Sequence, residues 1–451
     1  MEIVILTAVT ILILILIGMP VGFSFLVGAF IYFLITGESM GSVARDAFFA
    51  LNSFALLAIP LYMIAGTLMD ISGIAERLID FSRALLKKIK GGMAAIIPLA
   101  SMFFGALSGS GTATVAAMSN ILIPRLTKLG WDKRYTAALL AASGPLGFMI
   151  PPNINAILYG VIANTSIPAL FLATVIPGII WGILYMVINR IIFTKWYHPV
   201  GKEPIHKSEN LQTNDLSISY DNDIGYFQDV FKTFTAAIPA FVMPLIIFGG
   251  IYGGVFTATE AGAVACIYAL IAGLFIFKTV KLVDAYKSLI ELGVTFSSFM
   301  IILPMVIILT RILVLNGVPQ AVAEGLTSIS ANPYIIILLM VLVFFITGFF
   351  LDPGVLIFIL TPLLLPTAIS IGMDPIQFGV ILFVSIGVGA ITPPMAMNLF
   401  IVTRITGIPM QNLIRPLLPF LLFGAIPVLF LVAYIPELSL WLPNWVDSLG
   451  N

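Results

Sequence analysis

The sequence has few charged residues and almost none of the side chains that disulfide or metal chemistry requires. Of 451 residues, 9% are charged and 60% are hydrophobic, whereas soluble domains carry about 25% charged residues. The net charge is zero, so no basic surface for nucleic acid is indicated. The one cysteine, Cys266, can form no internal disulfide, and His198 and His206 lie in a polar segment without partner ligands. We therefore expect no cofactor and no structural metal site.

Apolar segments long enough to cross a bilayer recur along the whole chain. About 20 apolar residues suffice for a transmembrane helix, and the mean hydropathy is +1.13. This composition predicts an all-α, polytopic membrane protein. Because Glu2 lies where a signal peptide has basic residues, we expect the first segment to be a retained span. The predicted spans lie near residues 3–17, 20–36, 52–69, 134–163, 169–193, 236–256, 259–277, 289–310, 377–403 and 416–435.

Two further apolar segments are interrupted in the middle by turn residues. GALSGSGTAT lies within 93–123, and FFLDPGV lies within 335–365. Glycine or proline turns inside an apolar run predict re-entrant hairpins. The long polar segment 195–233 is interpreted as a linker. We therefore divide the chain into a first repeat, a cytoplasmic linker and a second repeat, with the bounds 1–194, 195–235 and 236–451.

The two halves repeat one another, with five spans and one hairpin in each. At an offset of 242 residues, the PP pair of IPPNINAILYG (150–160) matches the PP pair of TPPMAMNLF (392–400). Basic residues then suggest the orientation. Segment 74–90 has five Lys or Arg residues, and its counterpart 318–332 has none. Because basic loops face the cytoplasm, the repeats are predicted to be inverted, with both termini outside and the amphipathic 74–90 segment along the inner surface. This plan is typical of secondary transporters.

The two PP pairs predict two broken helices. A proline inside a helix removes a hydrogen bond and clashes with the preceding turn, which costs about 3 kcal/mol or more. Freed carbonyls are tolerated in a membrane where they line a protein cavity, and there they can coordinate a cation. The helix that starts after the break offers amides to a carboxylate. The alternative is a kink that only shapes packing.

Polar residues at the hairpin tips and past the breaks are the candidate ligands. Asp352 lies at the second tip, where an acid in an apolar region is a functional candidate. It could instead cap a helix, as could the hydroxyls of the first tip and the amides after the breaks. The residues assigned to substrate binding are Ser108, Ser110, Asn153, Asn155, Asp352 and Asn398.

Four motifs together resemble the large membrane subunit of tripartite ATP-independent periplasmic (TRAP) transporters: SMFFGALSGS, IPPNINAILYG, FGGIYGGVFTATEAGAVA and GVGAITPPMAMNLFIV. The resemblance covers nearly the whole chain. It implies an elevator-type, sodium-driven importer (a symporter) of an organic acid in the bacterial inner membrane. It also implies two partners, a small four-span membrane subunit and a soluble periplasmic substrate-binding protein.

The resemblance also implies where sodium binds. The functional serine and aspartate of the family's hairpins correspond to Ser108 and Asp352. One departure is PPNIN, where the family has a pattern like PPSIP, and the linker is longer than the family leads us to expect. With the internal repeat, one sodium site falls on Ser108, Gly147, Ile150 and Asn153, and the other on Gly348, Gly389, Thr392 and Met395.

Two other functional classes remain open from the residues. A stand-alone elevator transporter for di- or tricarboxylates would share the hairpin plan, and a co-purified four-span subunit would exclude it. An intramembrane enzyme would need a nucleophile with a base or a cluster of metal ligands. The apolar segments contain no histidine and one cysteine, so an enzyme is disfavoured.

The inverted arrangement predicts that residues 128 and 370 lie on opposite sides of the membrane. Lys128→Cys and Ser370→Cys, each in a Cys266→Ser background, should differ in labelling by an impermeant maleimide added to the outside of intact cells. We expect labelling at position 370 and none at 128 until the membrane is permeabilised. Equal labelling of both positions from outside would refute the inverted repeat.

Overall fold

A computed structural model describes residues 2–89, 92–193, 225–349, 353–393 and 396–450. All regular structure in these ranges is helical. Three predicted features lie outside the described residues: the polar linker up to residue 224, Asp352 at the second hairpin tip, and Met395 just past the second PP pair.

The first half is a series of apolar helices with short connections. A short 3-10 turn precedes α4. The helices are α1 (Glu2–Leu16), α2 (Val21–Thr36), α3 (Met40–Leu51), α4 (Ala58–Ile71), α5 (Ile74–Leu86), α6 (Gly92–Ser108), α7 (Gly111–Lys128), α8 (Lys133–Ser143), α9 (Leu146–Met149), α10 (Ile154–Ala163) and α11 (Ile167–Ile192).

The second half follows a similar order. One π-helical turn extends α13 and another joins α20 to α21. The helices are α12 (Tyr226–Tyr252), α13 (Ala258–Ile271), α14 (Leu282–Leu315), α15 (Val318–Ile329), α16 (Pro333–Thr347), α17 (Pro353–Ser370), α18 (Pro375–Ile391), α19 (Met397–Thr406), α20 (Met410–Phe420), α21 (Ile426–Tyr434) and α22 (Glu437–Gly450).

The helices differ from the ten predicted spans in number and length. Among the described residues, six helices are long and apolar enough to cross a membrane, or eight if each of two bent pairs is one span. Helices α1 and α2 are apolar but have 15 and 16 residues. Helix α14 has 34 residues, well beyond the predicted 289–310. Helices α3 and α22 were not predicted, because polar residues interrupt their apolar pattern and lower its hydropathy.

Positions that the sequence repeat makes equivalent, Gly73 with Gly317 at an offset of 244 and Asp132 with Asp374 at an offset of 242, have similar local structure. Gly73 precedes α5 with φ of 71°, and Gly317 precedes α15 with φ of 70°. Asp132 caps α8 by accepting a hydrogen bond from the Arg134 N–H at 2.7 Å, as Asp374 caps α18 through the Ile376 N–H at 2.7 Å. These pairs support a repeat of local structure, while the repeat bounds and the inverted orientation stay predictions.

Helix α4 is attached to the second half through α13. The Tyr62 hydroxyl donates to the Ala258 carbonyl at 2.8 Å. The Cys266 thiol donates to the Leu61 carbonyl at 2.8 Å. A Cβ at Gly262 would lie 3.1 Å from the Leu61 Cβ, so the two helices pack closely. Helix α4 therefore presents its opposite face to the first hairpin.

The amphipathic α5 lies in the segment predicted to follow the inner membrane surface. Its apolar side is buried in the protein. Its basic side pairs with α12, since Arg83 and Lys87 lie 3.5 and 3.6 Å from the Asp229 carboxylate. Asp80 lies 3.9 Å from Arg125 of α7. Burial raises the pKa of the Asp80 carboxylate, and the charge of Arg125 opposes that rise. The position of α5 relative to the membrane stays a prediction.

The cap of α8 predicts a pH-dependent contribution to stability. Burial alone would raise the pKa of the Asp132 carboxylate, but hydrogen bonds from Arg134 hold that pKa below its usual range. A lowered native pKa means that the carboxylate stabilises the fold above its unfolded-state pKa, and that this contribution is lost as pH falls through the native value. Asp132→Ala should lower the free energy of unfolding by about 1 kcal/mol at neutral pH.

The matched variant Asp132→Asn keeps the cap and removes the charge. Unfolding in detergent should show that this variant loses less stability than the Ala variant at neutral pH. Its stability should also change less than the wild type's between neutral pH and about pH 3. Identical acid profiles of the wild type and the Asn variant would contradict the assigned role of the charge.

Candidate functional site

The first hairpin tip, the residues on either side of the second tip and residues next to both helix breaks line one cavity of about 470 Å³, here called the main cavity. It is lined by apolar side chains, a few hydroxyls and amides, and backbone. No charged side chain lines it among the described residues. The lining residues are Ile59, Met63, Gly109, Ser110, Gly111, Thr112, Phe148, Ile154, Asn155, Leu158, Gly348, Phe349, Pro353, Gly354, Ile386, Ala390, Met397, Asn398 and Phe400.

Four helices begin at the main cavity. The first two residues of α7, α10, α17 and α19 all line it. The N-terminus of a helix carries unpaired amide N–H groups and a partial positive charge of roughly half an elementary charge. These four helix ends therefore contribute partial positive charge to the main cavity, and no positively charged side chain lines it among the described residues. Such an arrangement suits an anion with several oxygens, such as a carboxylate.

The first hairpin tip lies directly on the first break. Gly109 has φ of +60°, and a Cβ there would lie 2.6 Å from the Pro152 carbonyl oxygen. Ser110 caps α7, since its hydroxyl accepts a hydrogen bond from the Ala113 N–H at 3.4 Å. Only glycine fits at position 109, both for its backbone conformation and for this contact.

Several hydroxyl groups lie close together at the first hairpin tip. The Ser108 side chain is buried, and its Oγ lies 3.2 Å from the Thr114 Oγ1. The Thr114 hydroxyl also donates to the Ser110 carbonyl at 2.7 Å. Thr114 is one of the hydroxyl residues that the sequence predicts at the first tip. These oxygens are of the type that binds Na⁺, a hard cation.

In each half, a hairpin helix touches a broken helix through glycine backbone. A Cβ at Gly105 would lie 2.5 Å from the Gly147 Cα, and one at Gly389 would lie 2.7 Å from the Gly348 carbonyl carbon. Both contacts leave no room for a side chain. They bring backbone carbonyls of the hairpin and the break close together, as predicted sodium ligation through carbonyls requires.

The backbone leaves the helical conformation at the same kind of position in both breaks. Ile150 follows α9 with φ −95° and ψ 121°, and Thr392 follows α18 with φ −95° and ψ 124°. The Thr392 hydroxyl donates to the Val388 carbonyl at 2.6 Å. The bend from α8 and α9 into α10 is 48°. The two predicted breaks are thus present, and their extended residues interrupt the helical hydrogen bonding.

The three asparagines have different surroundings. Asn153 is fully buried and caps α10, accepting a hydrogen bond from the Asn155 N–H at 2.8 Å, while its Nδ2 has no partner among the described residues. The Asn398 Nδ2 donates to the Ala141 carbonyl of α8 at 3.4 Å. Asn155 and Asn398 line the main cavity. Helix capping is therefore observed for Asn153, and binding of a ligand stays a prediction for all three.

The structure separates the predicted site residues into three groups. Ser110, Asn155, Gly348 and Asn398 line the main cavity, and Ser108 lines a smaller one beside it. A second group lies in the breaks and their glycine contacts: Gly147, Ile150, Asn153, Gly389 and Thr392. Asp352 and Met395 lie outside the described residues.

Several lining residues were missed from the sequence. Phe148 lies two residues before IPPNINAILYG, and Phe400 lies within GVGAITPPMAMNLFIV, so their position near the PP pairs was a usable signal. Ile59 and Met63 come from α4. No local pattern indicates that α4 reaches this cavity, because the contact depends on how distant helices pack.

Comparison with known protein families identifies one match along most of the chain. A sequence model of the family described as "Tripartite ATP-independent periplasmic transporter, DctM component" matches residues 8–438. The chain is 35% identical over 419 residues to the C4-dicarboxylate TRAP transporter large permease protein DctM of Pseudomonas aeruginosa, covering 93% of each. It is 33% identical over 435 residues to the sialic acid TRAP transporter large permease protein SiaM of Vibrio cholerae, covering 96% of this chain and 97% of that one.

A solved structure has the same overall fold. The crystal structure of the Alcanivorax borkumensis YdaH transporter matches with a TM-score of 0.58 at 15% identity, covering 88% of each chain. At this identity the likeness shows the fold alone. The predicted all-α, polytopic membrane fold is confirmed, and so is the resemblance drawn from the four motifs.

The tight contact at the first tip predicts a large effect of Gly109→Ala. The new Cβ would strain the backbone by about 1–2 kcal/mol and would also collide with the Pro152 carbonyl. We expect thermal unfolding to show a loss of stability, and we expect transport to be largely lost because the tip moves away from the break.

Gly407→Ala is the matched control, since Gly407 has φ of +72° but nothing lies within 4 Å of its would-be Cβ. This variant should lose only the stability that the backbone strain costs, and it should keep its transport activity. If both variants retain wild-type transport, the close fit between the tip and the break does not matter for function.

Proposed function

The chain belongs to the DctM component family of the tripartite ATP-independent periplasmic transporters, and we propose that it imports a small organic acid together with sodium ions across the bacterial inner membrane. Its relatives are transporter permeases, so the chain is a transporter subunit and not an enzyme. Membership of this family implies two partners, a small membrane subunit and a periplasmic binding protein. Four spans in the small subunit are part of the proposal.

The observation that carries the proposal is the convergence of four helix N-termini on a cavity that no charged side chain lines among the described residues. Amide groups and helix dipoles favour an anion. The amides of Asn155 and Asn398 supply further hydrogen bonds from the cavity wall. A carboxylate bound there would replace its water shell with fixed donors, which is what selective binding inside a membrane protein requires.

The size of the main cavity also suits a small acid. Its volume of about 470 Å³ lies within the usual range of small-molecule sites, roughly 300–1,000 Å³. The names of the two relatives refer to C4-dicarboxylates and sialic acid, both of which are organic acids. We extend that chemical class to this chain, and the choice among such acids is expected to depend on the binding protein.

Sodium coupling is proposed from the oxygen-rich breaks. Hard cations prefer oxygen ligands, and backbone freed by a broken helix can supply them. The first site would use Ser108 and the backbone near Gly147, and the second the backbone at Gly348, Gly389 and Thr392. An ion at each break would also offset the partial negative charge at the C-terminal ends of α9 and α18.

The proposed movement is of the elevator type. The hairpins and broken helices would move as a unit relative to helices such as α4 and α13, which hold each other through the Tyr62 and Cys266 hydrogen bonds. A stand-alone di- or tricarboxylate transporter could move in the same way, but family membership favours the tripartite system.

The test is uptake into proteoliposomes that contain the chain and its small membrane subunit, with the binding protein and its acid outside. Uptake should require an inward sodium gradient. Thr392→Ala should raise the sodium concentration for half-maximal uptake by about tenfold, the low end of the effect of altering groups that support a metal ligand. Docking of the binding protein should be unchanged.

Thr392→Ser keeps the hydroxyl that bonds to the Val388 carbonyl and serves as the matched control, with sodium dependence close to the wild type's. Wild-type uptake that follows a proton gradient and ignores sodium would overturn the proposed coupling. Equal sodium dependence of the Ala variant and the wild type would remove Thr392 from the site.

A further inference from the structure

The last helix of the chain, α22, has one face that the described protein leaves uncovered. Its other side packs against α11 and also contacts α18, and Ser439 and Pro443 on that side are buried. The uncovered side, here called the α22 face, consists of the exposed residues Glu437, Trp441, Asn444, Trp445 and Ser448. These residues recur at intervals of three and four, which places them on one side of a helix.

Two tryptophans form the centre of the α22 face. The rings of Trp441 and Trp445 are stacked at 9° with 6.2 Å between their centroids, and the two residues are 57% and 49% exposed. With their neighbours they line a groove of about 400 Å³. Tryptophan is among the residues that contribute most to binding between proteins. A stacked and exposed pair is therefore a candidate contact for a partner.

The composition of the α22 face differs from that of a helix face in lipid. Exposed residues of α1, such as Ile5, Leu12 and Leu16, are aliphatic, which suits hydrocarbon. The α22 face instead combines two aromatic rings with a carboxylate, an amide and a hydroxyl. Helices that lie on a membrane surface are rich in Lys and Arg on their polar side, but no basic residue follows Arg415 in the chain. The α22 face thus suits neither hydrocarbon nor an anionic lipid surface.

The predicted orientation puts the α22 face on the outer side of the membrane. Helix α22 follows closely after the span that ends at Tyr434, and both termini are predicted to lie outside. Glu437 and Asp447 are exposed acids of this helix, and Glu324 of α15 is another exposed acid on the predicted outer side. Such a surface attracts a basic protein surface. It does not attract a free organic acid, which is itself an anion.

We propose that the α22 face is a docking surface for a basic patch of the periplasmic binding protein. Arginine stacks on tryptophan rings and pairs with carboxylates, so arginines of the partner contact Trp441 and Trp445 beside the charges of Glu437 and Asp447. Helix α22 contacts α18, which leads directly into the second break. The docked protein therefore touches the part of the chain that carries the main cavity.

This inference rests on the predicted orientation and on the tripartite assembly of the proposed function. It depends neither on sodium coupling nor on which acid is carried.

The first test measures how tightly the purified binding protein docks to the chain and its small membrane subunit in lipid nanodiscs. Trp441→Ala removes the more exposed ring and should weaken docking at least about fivefold, the loss that marks an important interface residue. Most of this change should lie in the dissociation rate. Glu437→Gln should slow association about twofold and make it less sensitive to salt, as for a charge at the edge of an interface.

Phe423→Ala and Glu76→Gln are the matched controls. Phe423 is 68% exposed on the π-helical turn within the preceding span, and Glu76 lies on α5 at the predicted inner side. Both variants should leave docking unchanged.

The outcomes separate the docking surface from the tripartite assembly. Wild-type docking strength in Trp441→Ala would overturn the docking surface and leave the α22 face to the membrane interface. Loss of the small membrane subunit from the Trp441→Ala complex would assign this face to that subunit and also overturn the proposal. No docking to the wild type would overturn the tripartite assembly together with the docking surface.

The second test locates the contact. Ser448→Cys in a Cys266→Ser background should react with an impermeant maleimide added from outside. Saturating binding protein should slow this reaction, and an equal concentration of serum albumin should not. Reaction from outside at a rate that docked binding protein leaves unchanged would overturn the docking surface alone. Reaction only after the membrane is permeabilised would overturn the predicted orientation and the docking surface together.

Discussion

The structure depends on one constraint: a helix broken in an apolar environment must have its free backbone groups satisfied by the protein, because lipid cannot do so. The chain contains two such breaks and two hairpin tips. Each hairpin packs against a broken helix, so backbone left without helical partners lies against protein and not against lipid. The tip at Gly109 lies on the Pro152 carbonyl, and glycine pairs join the hairpins to the broken helices in both halves. A polar region inside an apolar protein follows directly from this arrangement.

The direction of the helices gives this polar region its chemical character. Four helices start at the main cavity, so their amide ends face it. The helices before the breaks end at the extended residues Ile150 and Thr392, where the proposed cation sites lie. In the proposed function, an acid and its coupling cations would be held close together with few charged side chains. Charges of opposite sign also stabilise each other more strongly in such an apolar setting than in water. This electrostatic attraction is the physical basis of the coupling that we propose.

Much of this arrangement could be predicted from the sequence because the signals are local. A PP pair in an apolar segment breaks a helix whatever the surrounding fold is. The glycines of GALSGSGTAT likewise favour a turn through their local sequence alone. Both positions are confirmed by the structure. Gly348 and Gly389 were assigned through family resemblance, and they prove to touch each other. The ligand roles assigned to these residues stay predictions.

Other features could not be predicted because they depend on packing between distant segments. Helix α4 lines the main cavity through Ile59 and Met63, and it is bonded to α13, about 200 residues away in sequence. Helices α3 and α22 were missed because hydropathy detects spans and not amphipathic helices. The capping role of Asn153 depends on where α10 begins after the break, and sequence patterns locate helix ends poorly.

The most direct measurement is an experimental structure of the complete transporter with sodium and with the acid that its binding protein retains. The account predicts that the acid occupies the main cavity, with its carboxylate toward the starts of α7, α10, α17 and α19 and within hydrogen-bonding distance of Asn155 or Asn398. Cation density should lie at the breaks, next to the carbonyls of Gly147 and Gly389. An acid bound outside this cavity, or one held there by a carboxylate directed away from the helix N-termini, would contradict it.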